Sequence, residues 1–125
     1  MLSILRKLSG KLSPKQAQGQ AWELVACKYL EQHGLTLVEL NFTCKGGEID
    51  LVMRDGASLV FVEVRQRADR IHGGAAASIT PAKQARLTIA AQVYLMRYRA
   101  PPPCRFDVVA IDGNQLDWLR NAIGY

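Results

Sequence analysis

Asp50 and Glu63 stand in two strongly apolar runs, Gly47-Glu48-Ile49-Asp50-Leu51-Val52-Met53 and Leu59-Val60-Phe61-Val62-Glu63-Val64-Arg65. Burying an unpaired carboxylate is costly, so such residues are seldom set in apolar strands. Two carboxylates on neighbouring strands are stabilised when a divalent cation sits between them. The pair therefore points to a hard-metal site and to metal-assisted hydrolysis. The competing structural reading makes both acids strand-end residues neutralised by Arg65 or Arg67.

The segment between the runs, Arg54-Asp55-Gly56-Ala57-Ser58, carries the Asp-Gly signal of a hairpin. With Asp55-Gly56 as the loop, Asp50 lies opposite Phe61 and diagonal to Glu63. With Asp55 to Ser58 as the loop, Asp50 pairs with Glu63 directly. Side chains alternate along a strand, so either register places Asp50, Phe61, Glu63 and Arg65 on one face. The other face reads Ile49, Leu51 and Met53 against Val60, Val62 and Val64, which predicts a hairpin central in a sheet. Glu48 should point away from Asp50, and Asp107 lies in another strand, so neither is placed in the acidic centre.

Two helical segments carry matching anomalies. Gly19, Glu23, Ala26, Cys27 and Leu30 fall on one helical stripe, with Glu23 its only charge. Glu23 either serves the helix dipole or is a third acid aimed at Asp50 and Glu63. Lys83, Leu87, Ala90 and Tyr94 form a second stripe. Lys83 sits in a first turn, where a cation is mildly unfavourable. It either snorkels over Leu87 and Tyr94 or answers an anion, the acids or a phosphate.

These residues need a frame. A helix is predicted over Gln16 to Gln32, ended by His33-Gly34, then a strand over Leu35 to Leu40 and the hairpin. Arg67 to Ile79 reads as a glycine-rich loop. Thr80-Pro81 opens a helix running to about Tyr98. Arg105 to Ile111 is a fourth strand, Asp112-Gly113-Asn114 a turn, and Leu116 to Leu119 a short last strand. A strand–helix–strand step allows a right-handed crossover, so the expected fold is α/β: a mixed central sheet of four to five strands flanked by two main helices. Residues 1–15 read as a basic, flexible arm and residues 16–125 as one domain.

The composition is that of a soluble globule, 49% hydrophobic over 125 residues, with no apolar stretch of bilayer length and no signal-peptide pattern. Cys27, Cys44 and Cys104 form neither a disulfide framework nor a zinc pattern, which suits a reducing cytoplasm. A net charge of +5 permits an acidic partner such as nucleic acid without requiring one.

The combined motifs are specific. Gly19-x-x-x-Glu23-x-x-Ala26-x-x-Tyr29-Leu30-x-x-x-Gly34, Asn41-Phe42, Gly47-Glu48-Ile49-Asp50-Leu51, Val60-Phe61-Val62-Glu63-Val64-Arg65-x-Arg67, Lys83 and Arg105-Phe106-Asp107-Val108-Val109 together resemble the YraN family of small bacterial proteins. That family resembles a minimal PD-(D/E)XK nuclease, with the restriction endonuclease-like core shared by archaeal Holliday-junction resolvases. The resemblance implies that Glu23, Asp50 and Glu63 occupy the acidic positions. Arg65 stands where the pattern has lysine; it can hold a phosphate through its fork but is a poor proton acceptor. Lys83 is the candidate substitute.

The implied activity is a Mg2+- or Mn2+-dependent endonuclease hydrolysing phosphodiester bonds, in branched or damaged DNA. Asp50, Glu63, the Val64 carbonyl and Glu23 would hold the ion, and Arg65 or Lys83 the scissile phosphate. Arg67, Arg70, the Gly73-Gly74 loop and the N-terminal arm would follow the flanking backbone. Two alternatives stand beside this one: a non-catalytic nucleic-acid-binding module on the same fold, and a protein-interaction factor. Resolvase-like folds often act as pairs, so a homodimer is compatible, but no residue specifies the interface.

Overall fold

A computed structural model describes residues 13–68 and 74–123. Its elements are α1 (Pro14–Gln32), β1 (Thr36–Cys44), β2 (Gly47–Asp55), β3 (Ser58–Arg67), a single 3-10 turn (Ala76–Ser78), α2 (Pro81–Leu95), β4 (Cys104–Asp112) and β5 (Gln115–Ile123). The five strands lie in sequence order. β3 and β4 are parallel, joined across α2, and the other neighbours are antiparallel. The sheet is thus mixed, with a helix on each face, the arrangement expected of a restriction endonuclease-like core.

Local chemistry sets the helix ends. Ser13 caps α1 in a reciprocal box with Gln16, and Pro14 occupies the first turn, so the helix begins two residues before the predicted Gln16. Residues 13–15 therefore belong to the domain; the rest of the predicted arm, 1–12, lies outside the described residues, as do Arg70 and Gly73. At the other end Gly34 (φ +97°) lets Leu35 N–H reach the Leu30 carbonyl and Gly34 N–H the Glu31 carbonyl, a Schellman closure. Leu30 and Leu35 then enter the same core cluster. Thr80 caps α2 as predicted, by accepting from Lys83 N–H. The helix stops at Leu95, because Met96, Arg97 and Tyr98 bond three residues back in a tightened turn before the prolines.

Two apolar clusters sandwich the sheet. Ala26, Cys27 and Leu30 of α1 pack on Leu51, Met53, Val60, Val62, Val109 and Ile111. Leu87, Ala90, Ala91 and Tyr94 of α2 pack on Ile49, Val52, Phe61, Phe106 and Val108. Ala26, Cys27 and Leu30 of the first predicted stripe and Leu87, Ala90 and Tyr94 of the second are therefore buried, while Gly19, which opens the first, is exposed. Ile49 departs from prediction: it sits with Val52 on the α2 side, whereas Leu51 and Met53 face α1. Its β1 partner Phe42 packs on the α2 side too, while Leu40, paired with Leu51, packs toward α1. Strand alternation is thus broken in β1 and β2 together, at Asn41 and Asp50. Asn41 takes a left-handed backbone (φ +54°), which asparagine tolerates better than most residues.

The β2–β3 loop is Gly56-Ala57, with Asp55 opposite Ser58 and Arg54 opposite Leu59. Of the two registers considered, this is the one that aligns Asp50 with Glu63, although ladder pairing itself stops at Leu51 and Val62. β5 is longer than predicted. A register shift between Phe106 and Val108 lets it continue to Ile123, and the Asp107 carboxylate anchors the irregularity by accepting from Asn121 N–H and Trp118 Nε1.

Two glycines test this packing in opposite directions. A Cβ on Gly47 would stand 2.1 Å from the Arg86 carbonyl oxygen, where α2 lies directly on β2, while one on Gly19 meets nothing within 4 Å. Gly47→Ala should lose about 1–3 kcal/mol from overpacking, and Gly19→Ala should gain about 0.5–1 kcal/mol from helix propensity. Urea unfolding of both variants checks this; equal midpoints would contradict the packing described.

Candidate active site

The break at Asp50 builds the site. With the β2–β3 ladder ended, Val64 N–H has no β2 carbonyl and donates instead to Asp50 Oδ2 at 2.9 Å. In an extended strand a residue's N–H and C=O point to the same edge, so the Val64 carbonyl is directed to that side as well. Asp50 lies close to Glu63 and also to Glu23, which α1 brings down onto the sheet. Lys83, in the first turn of α2, places Nζ 3.3 Å from Glu63 Oε2 and 3.4 Å from Glu48 Oε1. Side chains predicted from four separate elements thus meet at one place.

Above them opens a cleft of about 340 Å3. Its walls include Glu23, Asp50, Val64, Arg65, Arg67 and Lys83, with Lys15, Gln18, Gly19, Trp22 and Gln66 completing the rim. Glu63 is buried behind this wall at 1% exposure. Neither of its carboxylate oxygens, nor Glu23 Oε1, receives a hydrogen bond of good geometry. Asp107 shows what a structural buried acid looks like here. It too is fully buried, yet it accepts from Arg105 Nε, Trp118 Nε1 and Asn121 N–H at 2.9–3.2 Å.

Burial is the first cause that lifts Glu63 to a pKa of about 9, reinforced by the adjacent Asp50 carboxylate and opposed by Lys83. Burial likewise lifts Glu23 to about 8, with the Asp50 charge adding and a hydrogen bond from the Asn41 side chain opposing. Burial alone would lower the Lys83 pKa, but the charges of Glu63, Asp50 and Glu48 outweigh it and raise the value. Burial and the neighbouring Asp50 thus favour the protonated form of both glutamates, and the acids favour the charged ammonium.

The competing reading, neutralisation by Arg65 or Arg67, is not what the structure shows. The acids' cation is Lys83, and Arg65 Nε donates instead to Ser78 Oγ at 3.0 Å, beside the 3-10 turn. Glu48, excluded on alternation, reaches the site after all through Lys83, and also lies 3.4 Å from Arg86. Alternation in fact sets residues two apart on one face, so it never turned Glu48 away from Asp50. Asn41 and Trp22 were not identified from the sequence as site residues. A polar residue between Leu40 and Phe42 in a strand was the available signal for Asn41; Trp22, beside Glu23 on the helix, reads as ordinary core.

Among the described residues, no three His, Cys, Asp or Glu side chains stand ready-assembled as a metal cage. The donors present are Asp50, the orphaned oxygens of Glu63 and Glu23, and the Val64 carbonyl. All are hard oxygens, and Mg2+ characteristically uses one or two carboxylates and completes its shell with water and substrate phosphate, so the set fits that ion.

An α/β core with acids gathered where two central strands part defines a restriction endonuclease-like domain. The family model described as "Uncharacterised protein family UPF0102" matches residues 22–111. The chain is 62% identical over 109 residues to a UPF0102 protein of Herminiimonas arsenicoxydans, covering 87% of this chain and 88% of that one. It is 64% identical to one of Janthinobacterium sp. (strain Marseille), covering 87% and 89%, and 51% identical to one of Nitrosomonas eutropha, covering 89% and 97%. The chain belongs to the UPF0102 (YraN) family.

The raised carboxyl pKa values have a consequence for stability. Both glutamates titrate above their ordinary 4.5, Glu23 near 8 and Glu63 near 9. The metal-free folded protein therefore binds more protons than the unfolded chain in this window, and stability is lost as pH rises through it. Glu63→Gln should flatten that decline. Urea unfolding in EDTA at about pH 5 and about pH 9 measures it; wild-type stability that climbs over the same interval would refute the assignment.

Proposed function

We propose that the protein is a bacterial, cytoplasmic, Mg2+- or Mn2+-dependent endonuclease acting on phosphodiester bonds of DNA. The observation that carries the reading is Glu63, a buried carboxyl group beside Asp50 and Lys83 whose oxygens receive no hydrogen bond of good geometry, behind a cleft edged by cations. A folded protein keeps such a group where a ligand completes it. Cys27, Cys44 and Cys104 form no disulfide, which fits a reducing compartment.

Asp50, Glu63, the Val64 carbonyl and Glu23 would hold the ion, which supplies charge neutralisation for the phosphate and a lowered pKa for an attacking water. To hold an ion Glu63 and Glu23 would give up their protons, and Lys83 would be able to leave its contact with Glu63. Lys83 then has a phosphate oxygen as its natural partner, in the place that a strand lysine holds in the family pattern. Arg65, steadied by Ser78, presents the rest of its guanidinium to the cleft and binds phosphate rather than taking a proton. Arg67 and Lys15 lie further along the same cleft, where flanking phosphates would run.

The Lys83–Glu63 contact favours one second reading: an internal ion pair closes the centre to metal and leaves a non-catalytic nucleic-acid-binding module. Mn2+ calorimetry separates the two, since only the endonuclease reading expects heat that Asp50→Asn abolishes. On a panel of single-stranded, duplex and branched DNA, Asp50→Asn and Glu63→Gln should each lower Mg2+-dependent cleavage by about a hundredfold or more with the fold retained. Wild-type protein that neither binds Mn2+ nor nicks any member of the panel ends the endonuclease reading.

A further inference from the structure

A second cleft, of about 210 Å3, lies on the α2 side of the sheet over β4 and β5. Its walls are Ile79, Val108, Leu119 and Ile123 with small Ala76 and Ala122, and Gln84 is the one polar side chain among them. α2 lies over β2 and leaves this end of the sheet to the 3-10 turn, so Leu119 remains 38% exposed. The Gln84 amide is weakly held: Nε2 donates only to the Ile79 carbonyl, at 3.4 Å.

Position links this cleft to the acids. Val108, in its floor, is the β4 partner of Glu63 and so stands one strand spacing away on the same face. Gln84 follows Lys83 in the first turn of α2. Ala76, on its rim, shares the 3-10 turn with Ser78, which holds Arg65. The hollow therefore adjoins the residues that would anchor a phosphate, Lys83 through its neighbour Gln84 and Arg65 through Ser78.

We propose that the cleft is a nucleobase subsite, taking one unstacked base of the strand whose phosphate lies at Lys83 and Arg65. The apolar walls suit the faces of a purine or pyrimidine, and the Gln84 amide, with a donor and an acceptor, suits its polar edge. A base inside an intact duplex cannot enter a hollow of this kind, so the substrate class becomes DNA with an unpaired or extruded nucleotide next to the bond attacked. The inference rests on the endonuclease reading for the location of the phosphate, and on the second cleft for the base.

The test uses the full chain with methyl-labelled isoleucine, leucine and valine, titrated with deoxyadenosine 5′-monophosphate and separately with deoxyribose 5-phosphate. The nucleotide should shift the Ile79, Val108 and Leu119 methyls, and the sugar phosphate should not. Ala76→Phe, at an exposed position on the rim, should weaken nucleotide binding about tenfold while leaving sugar-phosphate binding unchanged. Gln84→Leu should lose discrimination among the four nucleotides. Methyls that stay still with the nucleotide, or respond equally to the sugar phosphate, overturn the subsite; if the filling variant fails to fold, this wild-type comparison decides alone. Such a result with cleavage intact removes the base subsite only, while a methyl response in a protein that never cleaves removes the endonuclease reading only.

Discussion

The hydrogen bond from Val64 N–H to Asp50 Oδ2 organises the molecule around it. A central strand must satisfy its backbone donors, and here a side chain replaces a ladder carbonyl. That substitution is possible because β1 and β2 change face together at Asn41 and Asp50, with Asn41 in a left-handed backbone conformation. The same break turns Ile49 and Phe42 onto the α2 core and leaves Asp50 between the faces, within reach of Glu23 from one helix and near Lys83 from the other. Removing the break would restore regular pairing and scatter the acids.

Two buried acids in neighbouring strands show how one fold treats the same chemistry in two ways. Asp107 is enclosed by donors from Arg105, Trp118 and the Asn121 backbone, and Arg105 extends the network to Asp55. Those bonds hold β5 to β4 through a register shift, a structural task completed within the chain. Glu63 lies beside the same strand but, among the described residues, its charged neighbours are another acid and one ammonium. Desolvation without donors favours its protonated form, which is a reservoir that a cation can displace. The difference lies in the partners each carboxylate finds, not in its burial.

Much of the frame was legible in the sequence because its causes are local. Gly34, Thr80-Pro81 and Gly56 in the hairpin turn announce ends and reversals through backbone geometry. The helical stripes beginning at Gly19 and Lys83 proved to be the faces that meet the sheet, since a 3.6-residue period and a single buried face go together. Glu23, Asp50, Glu63 and Lys83 stood out as charges in apolar company. The length of β5 was not legible, because it depends on Asp107 bonding across to residues on another strand. Glu48 was legible, since alternation sets residues two apart, Glu48 and Asp50, on one face.

The amino-acid order by itself determined which segments coil or extend, where they reverse, and which acids are too costly to bury without a reason. Those properties follow from neighbours within a few positions along the chain. Only the tertiary structure decided that Lys83 rather than Arg65 faces Glu63, that Arg65 is held by Ser78, and that Glu63 lacks the donors that Asp107 has. Each of those outcomes depends on strand register and on where two helices settle on opposite faces. Such contacts join residues far apart in sequence, and no local preference encodes which distant partner a side chain will meet.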